Sequence, residues 1–128
     1  WNRTRERAEA LGVEVVDGWV DTDLLVNCTS VGLEDPSGDD LPTFKFLPVA
    51  PDDLGELACV VDLVYRRGGT DLEHAARERG TPTVDGLEIL VRQGAESYES
   101  WTGRAPDLDR MRAAARDFDA SPSGTTPE

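Results

Sequence analysis

Leu57-Ala-Cys-Val-Val-Asp-Leu-Val-Tyr65 decides the fold class. It is a short, Val-rich, nearly continuous apolar run, the pattern of a strand covered on both faces, as in parallel sheets. Asp23 to Cys28, ending Leu-Leu-Val-Asn-Cys, reads the same way. Between and after these runs lie helical signals. Thr70-Asp71-Leu72-Glu73 is a capping box that opens a helix through Arg79, and Gly80 closes it. Gly86 to Trp101 is a long helix, with Leu87, Leu90, Val91, Gly94, Tyr98 and Trp101 spaced to pack on a sheet. Gly86, Ile89, Gln93 and Ser97 form a neighbouring face. Asp107 to Phe118 predicts a last helix with Leu108, Met111, Ala115 and Phe118 turned inward.

Working outward, Thr4 can cap a helix over Arg5 to Leu11 that stops at Gly12. Val13-Glu14-Val15-Val16 and Thr81 to Val84 read as short strands. Glu34 to Pro51, punctuated by Pro36, Gly38, Pro42, Pro48 and Pro51, reads as irregular. Ser121 to Glu128 has the composition of a disordered tail. Alternating helices and buried strands give an α/β sheet, in which ligands gather beyond the carboxyl ends of the strands.

The chain has 128 residues with 26 acidic and 13 basic ones, a net charge of −13. Only Lys45 is lysine; twelve are arginine. Asp17 to Leu57 holds ten acids against that one lysine, so this span carries −9 of the charge. Such a surface repels polyphosphates, which argues against generic nucleic-acid binding; any anion must be held by a local basic patch. No apolar run approaches the roughly 20 residues of a membrane helix, and no signal peptide is visible. Cys28 and Cys59 sit inside apolar runs, with no paired Cys/His spacing, so zinc is not expected and two buried, reduced thiols are. Reduced thiols fit a cytoplasmic protein.

Several strand ends carry candidate chemistry. Asn2-Arg3-Thr4 with Arg7 places two guanidiniums at a helix start, where they can grip a phosphate. In a dinucleotide fold, arginine there favours a 2′-phosphate and hence NADP. A surface helix with Arg–Glu pairs to Glu6 and Glu9 is the alternative. Asn27-Cys28-Thr29-Ser30-Val31-Gly32 is a small-polar turn that lets backbone approach a ligand, or a plain connecting turn. Tyr65 projects a phenol at the sheet's edge, and Gln93 could bond a polyhydroxylated ligand. Asp35-Pro-Ser-Gly-Asp39-Asp40 lacks a closing Glu and reads as a solvated loop, not a calcium site. His74 reads as a helix-surface residue, and Ser30 has no histidine partner for a nucleophilic triad.

Together these pieces resemble the C-terminal, NADP-binding part of shikimate dehydrogenases. The resemblance runs from Asn2 to about Phe118. It rests on Asn-Arg-Thr (2–4) with Arg7, Asn-Cys-Thr-Ser-Val-Gly (27–32), Asp-Leu-Val-Tyr (62–65) with Thr70, Asp-Gly-Leu-Glu-Ile-Leu-Val-Arg-Gln-Gly-Ala (85–95) and Trp101-Thr102-Gly103. It implies a partial Rossmann-like, doubly wound parallel sheet with helices on both faces, lacking the first strands and the glycine-rich loop. Residues 1–103 would form the partial NADP-binding domain, 104–120 a C-terminal helix and 121–128 the tail.

The resemblance also implies roles. Asn2, Arg3, Thr4 and Arg7 match a clamp for the adenosine 2′-phosphate. Thr29, Ser30, Leu63 and Gly86 match positions along the cofactor path, the last two beside the nicotinamide. Tyr65 and Gln93 match residues that touch shikimate. The family reduces 3-dehydroshikimate to shikimate with NADPH, in aromatic amino-acid biosynthesis. A quinate-type dehydrogenase and a non-catalytic nucleotide-binding module derived from the family are the alternatives. The family's glycine loop and its substrate domain, which carries a Lys–Asp pair, find no match here. Ile89 stands where a Met is usual, and Arg66-Arg67 and Asp71 replace an Asn-x-Pro and a Pro. Under the strand order 3-2-1-4-5-6, Val13–Val16 would be strand 3 and Leu24–Cys28 strand 4, with strands 1 and 2 wanting. The expectation is a chain that folds poorly and binds NADPH weakly alone, because strand edges are left open.

Overall fold

The structure, a computed structural model, describes residues 1–33 and 42–120. Its elements are α1 (Arg5–Glu9), β1 (Leu24–Asn27), α2 (Pro42–Phe46), a 3-10 helix (Pro51–Glu56), β2 (Cys59–Asp62), α3 (Asp71–Glu78), β3 (Thr83–Val84), α4 (Gly86–Thr102) and α5 (Leu108–Ala120). The two apolar runs that fix the fold class become β1 and β2. They pair in parallel from Leu24↔Cys59 to Asn27↔Asp62, and β2 pairs in parallel with β3 at Val60↔Thr83. The result is an open parallel sheet in the order β1-β2-β3, as the α/β reading requires.

Strand alternation sets the core. Leu25 and Val60 share one face, and Val60 is buried with Val49, Leu54, Leu57, Leu72 and Ala76. Those residues come from β2, the 3-10 helix and its flanks, and α3, so α3 and the 3-10 helix roof this face. The opposite face starts with Leu24 and Val26, both exposed. α2 is clipped to α3 because Asp71 accepts the Thr43 N–H at 2.9 Å and the Thr43 hydroxyl at 2.7 Å.

The N-cap of α3 forms as read. Thr70 Oγ1 accepts the Glu73 N–H at 3.2 Å, although the Glu73 carboxylate lies 3.4 Å from Arg77 Nη1 rather than completing a reciprocal box. Asp85 caps α4 by accepting the Glu88 N–H at 2.8 Å, and Gly103 ends that helix at φ 67°. Left-handed backbone at that position is a glycine preference. Thr4 stands at the N-cap of α1 with no side-chain cap bond; its own N–H donates to Asn2 Oδ1 at 2.8 Å.

The structure corrects several expectations. Val13–Val16 forms no strand; a strand needs a ladder partner, and among the described residues none lies beside it. Part of the stretch read as irregular is helical, as α2 and the start of the 3-10 helix. Prolines at positions 42 and 51 open these turns, where the missing N–H costs nothing. Cys28 is exposed and Cys59 half-buried, because Cys28 falls one residue past β1. The apolar face read on α4 is covered only in part. Val91 is buried, but Leu90 and Tyr98 are nearly half exposed and Trp101 is 84% exposed. The helix packs chiefly on α5, where the methyl end of Met111 lies 3.5 Å from the place a Cβ on Gly94 would take. Phe118, expected inward, is exposed, with the Arg67 guanidinium 5.7 Å from its ring centre. The loop at residues 35–40 and the tail at 121–128 lie outside the described residues.

An ion-pair cluster fastens α5 to α4. Arg112 grips the Glu88 carboxylate with two bonds of 2.8 Å, and Arg92 adds a third at 2.7 Å. Arg112 first, then Arg92, hold the Glu88 carboxyl down at about 2. A carboxyl depressed in the folded state adds stability that is present above its ordinary value near 4.5 and lost as the pH falls toward about 2. Glu88→Gln is therefore expected to lower stability at neutral pH and to flatten its decline between those pH values, read as urea midpoints across pH. An unchanged acid limb would refute this.

Gly86 fixes the angle at which α4 leaves the sheet. A Cβ there would collide with the Val64 carbonyl and come within 2.6 Å of the Tyr65 N. Gly86→Ala is expected to cost about 1–3 kcal/mol by overpacking. Gly55→Ala, where a Cβ meets open space, is the comparison. Equal denaturation midpoints for the two variants would remove this constraint.

Candidate functional site at the carboxyl edge of the sheet

The carboxyl ends of β1 and β2 meet in a buried polar network. Asp62, fully buried, ends β2. Its Oδ1 accepts from Asn27 Nδ2 at 3.0 Å and from the Val64 N–H at 3.0 Å, and its Oδ2 accepts from Thr70 Oγ1 at 2.7 Å. Asn27 relays this to the turn after β1. Its Oδ1 accepts the Thr29 N–H at 3.0 Å and the Thr29 hydroxyl at 2.8 Å, and its Nδ2 also reaches the Val31 carbonyl at 3.3 Å. One carboxylate thus holds the end of β1, the end of β2 and the N-cap of α3. Burial pushes the Asp62 carboxyl up, opposed by the bonds from Thr70, Val64 and Asn27.

This network places five of the residues singled out in the sequence along one edge. Thr29 and Ser30 follow β1, and Leu63 and Tyr65 follow β2. The Leu63 N–H bonds the Asn27 carbonyl at 3.0 Å, so the two exits run side by side. Gly86 presses on the Val64–Tyr65 backbone. Ser30 and Leu63 are exposed, and Thr29 and Tyr65 are half-buried. Beside Tyr65 opens a cleft of about 280 Å³ whose walls include Gly68, Gly69, Glu73, Asp85 and Gly86. Glu73 is buried in it, and that burial pushes its carboxyl up against the opposing charge of Arg77.

The remaining candidates stand apart from this cleft. Gln93 is exposed on α4 and does not line it. Seven residues beyond Gly86, it lies roughly 10 Å further along the helix axis. Asn2, Arg3, Thr4 and Arg7 are all exposed at the start of α1. That helix has only five residues, so its backbone dipole adds little and the guanidiniums must carry any anion contact. They differ from their neighbour. Arg5 is bound to Glu9 and Asp17, whereas Arg3 and Arg7 form no ion pair among the described residues. Among the described residues, the Arg–Glu pairing of the surface-helix alternative is made by Arg5 with Glu9.

His74 lies on the surface of α3, its Nε2 2.8 Å from the Gly68 carbonyl. Among the described residues, no cluster of His, Cys, Asp and Glu is placed to hold a metal ion, and no helix is long and apolar enough to cross a membrane. Sequence reasoning missed the parts played by Asn27, Asp62 and Thr70. The available signal was a carboxylate inside Val-Val-Asp-Leu-Val, since a charge amid a buried run demands partners.

Asp62→Ala would strand one N–H of the Asn27 amide, the Thr70 hydroxyl and the Val64 N–H without an acceptor. The expected loss is about 3 kcal/mol or more, because each buried group left unpaired costs roughly 1–3 kcal/mol. Asp62→Asn, which keeps one carbonyl oxygen, should lose less. Equal stability of wild type and Asp62→Ala in urea titrations would show that the network is dispensable.

Known proteins resemble the chain along most of its length. The model of the shikimate 5′-dehydrogenase C-terminal domain matches residues 86–116. A shikimate dehydrogenase (NADP(+)) of Thermus thermophilus is 43% identical over 122 residues, covering 91% of this chain and 43% of that protein. The corresponding protein of Haloarcula marismortui is 37% identical over 127 residues, covering 91% of this chain and 44% of that protein. Among solved structures, shikimate 5-dehydrogenase from a second strain of Thermus thermophilus, in complex with NADP(H) and shikimate, superposes with a TM-score of 0.67 at 39% identity. That match covers 91% of this chain and 44% of the other. The chain thus spans under half the length of the relatives it matches. In sequence and in fold, the chain matches the C-terminal part of shikimate dehydrogenases.

Proposed function

We propose that this chain supplies the cofactor-binding side of an NADP-dependent shikimate dehydrogenase, which interconverts 3-dehydroshikimate and shikimate. The observation that carries the reading is the alignment of Thr29, Ser30, Leu63, Tyr65 and Gly86 along the carboxyl edge of a parallel sheet, where such folds take their ligands. The residues present suit NADP. Arg3 and Arg7 are exposed guanidiniums with no ion pair among the described residues, and a guanidinium matches a phosphate with two parallel bonds. Asn2 and Thr4 flank them.

When bound, the nicotinamide supplies the hydride acceptor or donor for the substrate carbon. The chain's own residues position the reactants. Thr29 and Ser30 line the cofactor path on a turn that Asn27 fixes. Leu63 and Gly86 offer an apolar side chain and bare backbone to the ring. Tyr65, at the mouth of the cleft, and Gln93 bond the hydroxyls or carboxylate of the substrate. Proton management at the reacting carbonyl belongs to a Lys–Asp pair on another domain, which completes the enzyme in the cytoplasm.

Calorimetry with NADPH and NADH tests the cofactor assignment. NADPH is expected to bind more tightly than NADH. Arg3→Gln and Arg7→Gln should each weaken NADPH about tenfold, the loss of one charge-assisted contact, and leave NADH unchanged. Equal loss for both nucleotides would take the 2′-phosphate away from these arginines.

A further inference from the structure

α5 runs back along α4 and ends over the cleft beside Tyr65. The Met111 methyl approaches Gly94, Arg112 holds Glu88, and Arg116 reaches the space beside Asp85 and Leu87. Successive turns of α5 thus meet earlier turns of α4. Phe118 lies six residues past Arg112, roughly 9 Å further along the helix axis. There it meets the turn after β2. Arg67 Nη2 donates to the Phe118 carbonyl at 3.2 Å, and the same guanidinium stands over the Phe118 ring in a cation–π contact. Arg67 is two residues past Tyr65, between Arg66 and Gly68, which both line the cleft. α5 therefore spans the cleft. It is tied to α4 on one side and to the Tyr65 turn on the other, and Arg116 forms the wall between the two ties.

The ties that hold this helix are mainly polar. None of its described residues is buried; Leu108, Met111, Arg112 and Ala115 are half-buried, and Phe118 is 69% exposed. Most helical stability in proteins comes from burying an apolar face, and α5 buries little of one. The link between the helices is also unobstructed. Gly103 to Ala105 is exposed, and a Cβ on Gly103 would meet nothing within 4 Å. A segment with few buried apolar contacts and exposed hydrogen bonds opens at lower cost than the core and separately from it.

We infer that α5 is a strap over the cleft beside Tyr65, hinged at Gly103 and held by two latches, Arg112 on Glu88 and Arg67 on Phe118. Its release opens the cleft and frees the turn that carries Tyr65. The inference goes beyond the cofactor assignment and holds whichever ligand the cleft takes, since it uses only contacts between α5, α4 and that turn.

Amide hydrogen exchange and tyrosine nitration test it. Tyr65 and Tyr98 are the two tyrosines, and Tyr98, which does not line the cleft, is the internal standard. Arg67→Met is expected to speed exchange about fivefold at Arg116 to Phe118 and at Gly69, the effect of one lost hydrogen bond. Nitration of Tyr65 relative to Tyr98 should rise by a similar factor. Phe118→Ala, which cuts the same latch from its other side, should act in the same direction. Arg104→Gln, at an exposed arginine outside the cleft, should change neither reading. In the parent chain, raising the salt from about 0.1 M to about 1 M shortens the screening length from about 10 Å to about 3 Å and weakens the charged latches. The same amides should then exchange faster while Val60 and Val61 in β2 exchange more slowly, because salt also relieves the self-repulsion of a chain with charge −13. Acceleration shared equally by β2, slower exchange of α5 in salt, or a Tyr65 to Tyr98 ratio unchanged in both latch variants would make α5 a fixed wall and overturn the inference.

Discussion

The structure depends on one buried carboxylate. Asp62 is taken fully out of water, at a price that only its hydrogen bonds offset. It cannot be satisfied unless three separate segments converge on it: the end of β1 through Asn27, the turn after β2 through Val64, and the start of α3 through Thr70. The apolar core beneath it is non-directional and tolerates small shifts. The carboxylate does not. It sets which residue ends each strand and where each following turn points, and these turns carry most of the candidate ligand contacts.

The second half of the chain is joined to this frame by a narrow seam. Gly86 lets α4 start flush against the Val64 carbonyl, and Asp85 caps the helix at that point. Along its length α4 owes its position to α5, through the Glu88–Arg112 pair in its first turn and the approach of the Met111 methyl to Gly94 further on. Anchoring is therefore tight at the end nearest the cleft and loosens toward Trp101. Arg116 reaches the cleft only because α5 is held on α4, so the charge pattern of the cleft depends on the Glu88 cluster one to two turns away.

Much of this was legible in the sequence where the signal was local. Leu24–Asn27 and Cys59–Asp62 were visible as short apolar runs, α3 through its Thr70 cap, and α4 and α5 through helical spacing and the break at Gly103. What escaped depends on partners distant in sequence. Val13–Val16 has strand composition, yet a strand exists only in a ladder. α2 lies in a proline-rich stretch and is held by Asp71, some thirty residues away. Helical periodicity identified an apolar stripe on α4 but not what covers it, so Trp101 was placed inside and stands outside. The same holds for the candidate site. Tyr65 and Gly86 were found from strand ends, whereas Arg77 and Arg116 line the cleft through packing that no spacing rule reports.

The order of the strands has a consequence for how the protein is made. They lie side by side in the order in which they appear along the chain. A nascent polypeptide emerging from the ribosome therefore meets, at each step, the edge laid down just before it. β2 can dock on β1, α3 can then roof the pair, and β3 can close on β2, with none of these three described strands having to open to admit the next. Growth by addition at one side keeps each pairing event close to the last in chain distance, which limits the entropy of closing each loop. Assembly of the sheet can thus keep pace with its own synthesis.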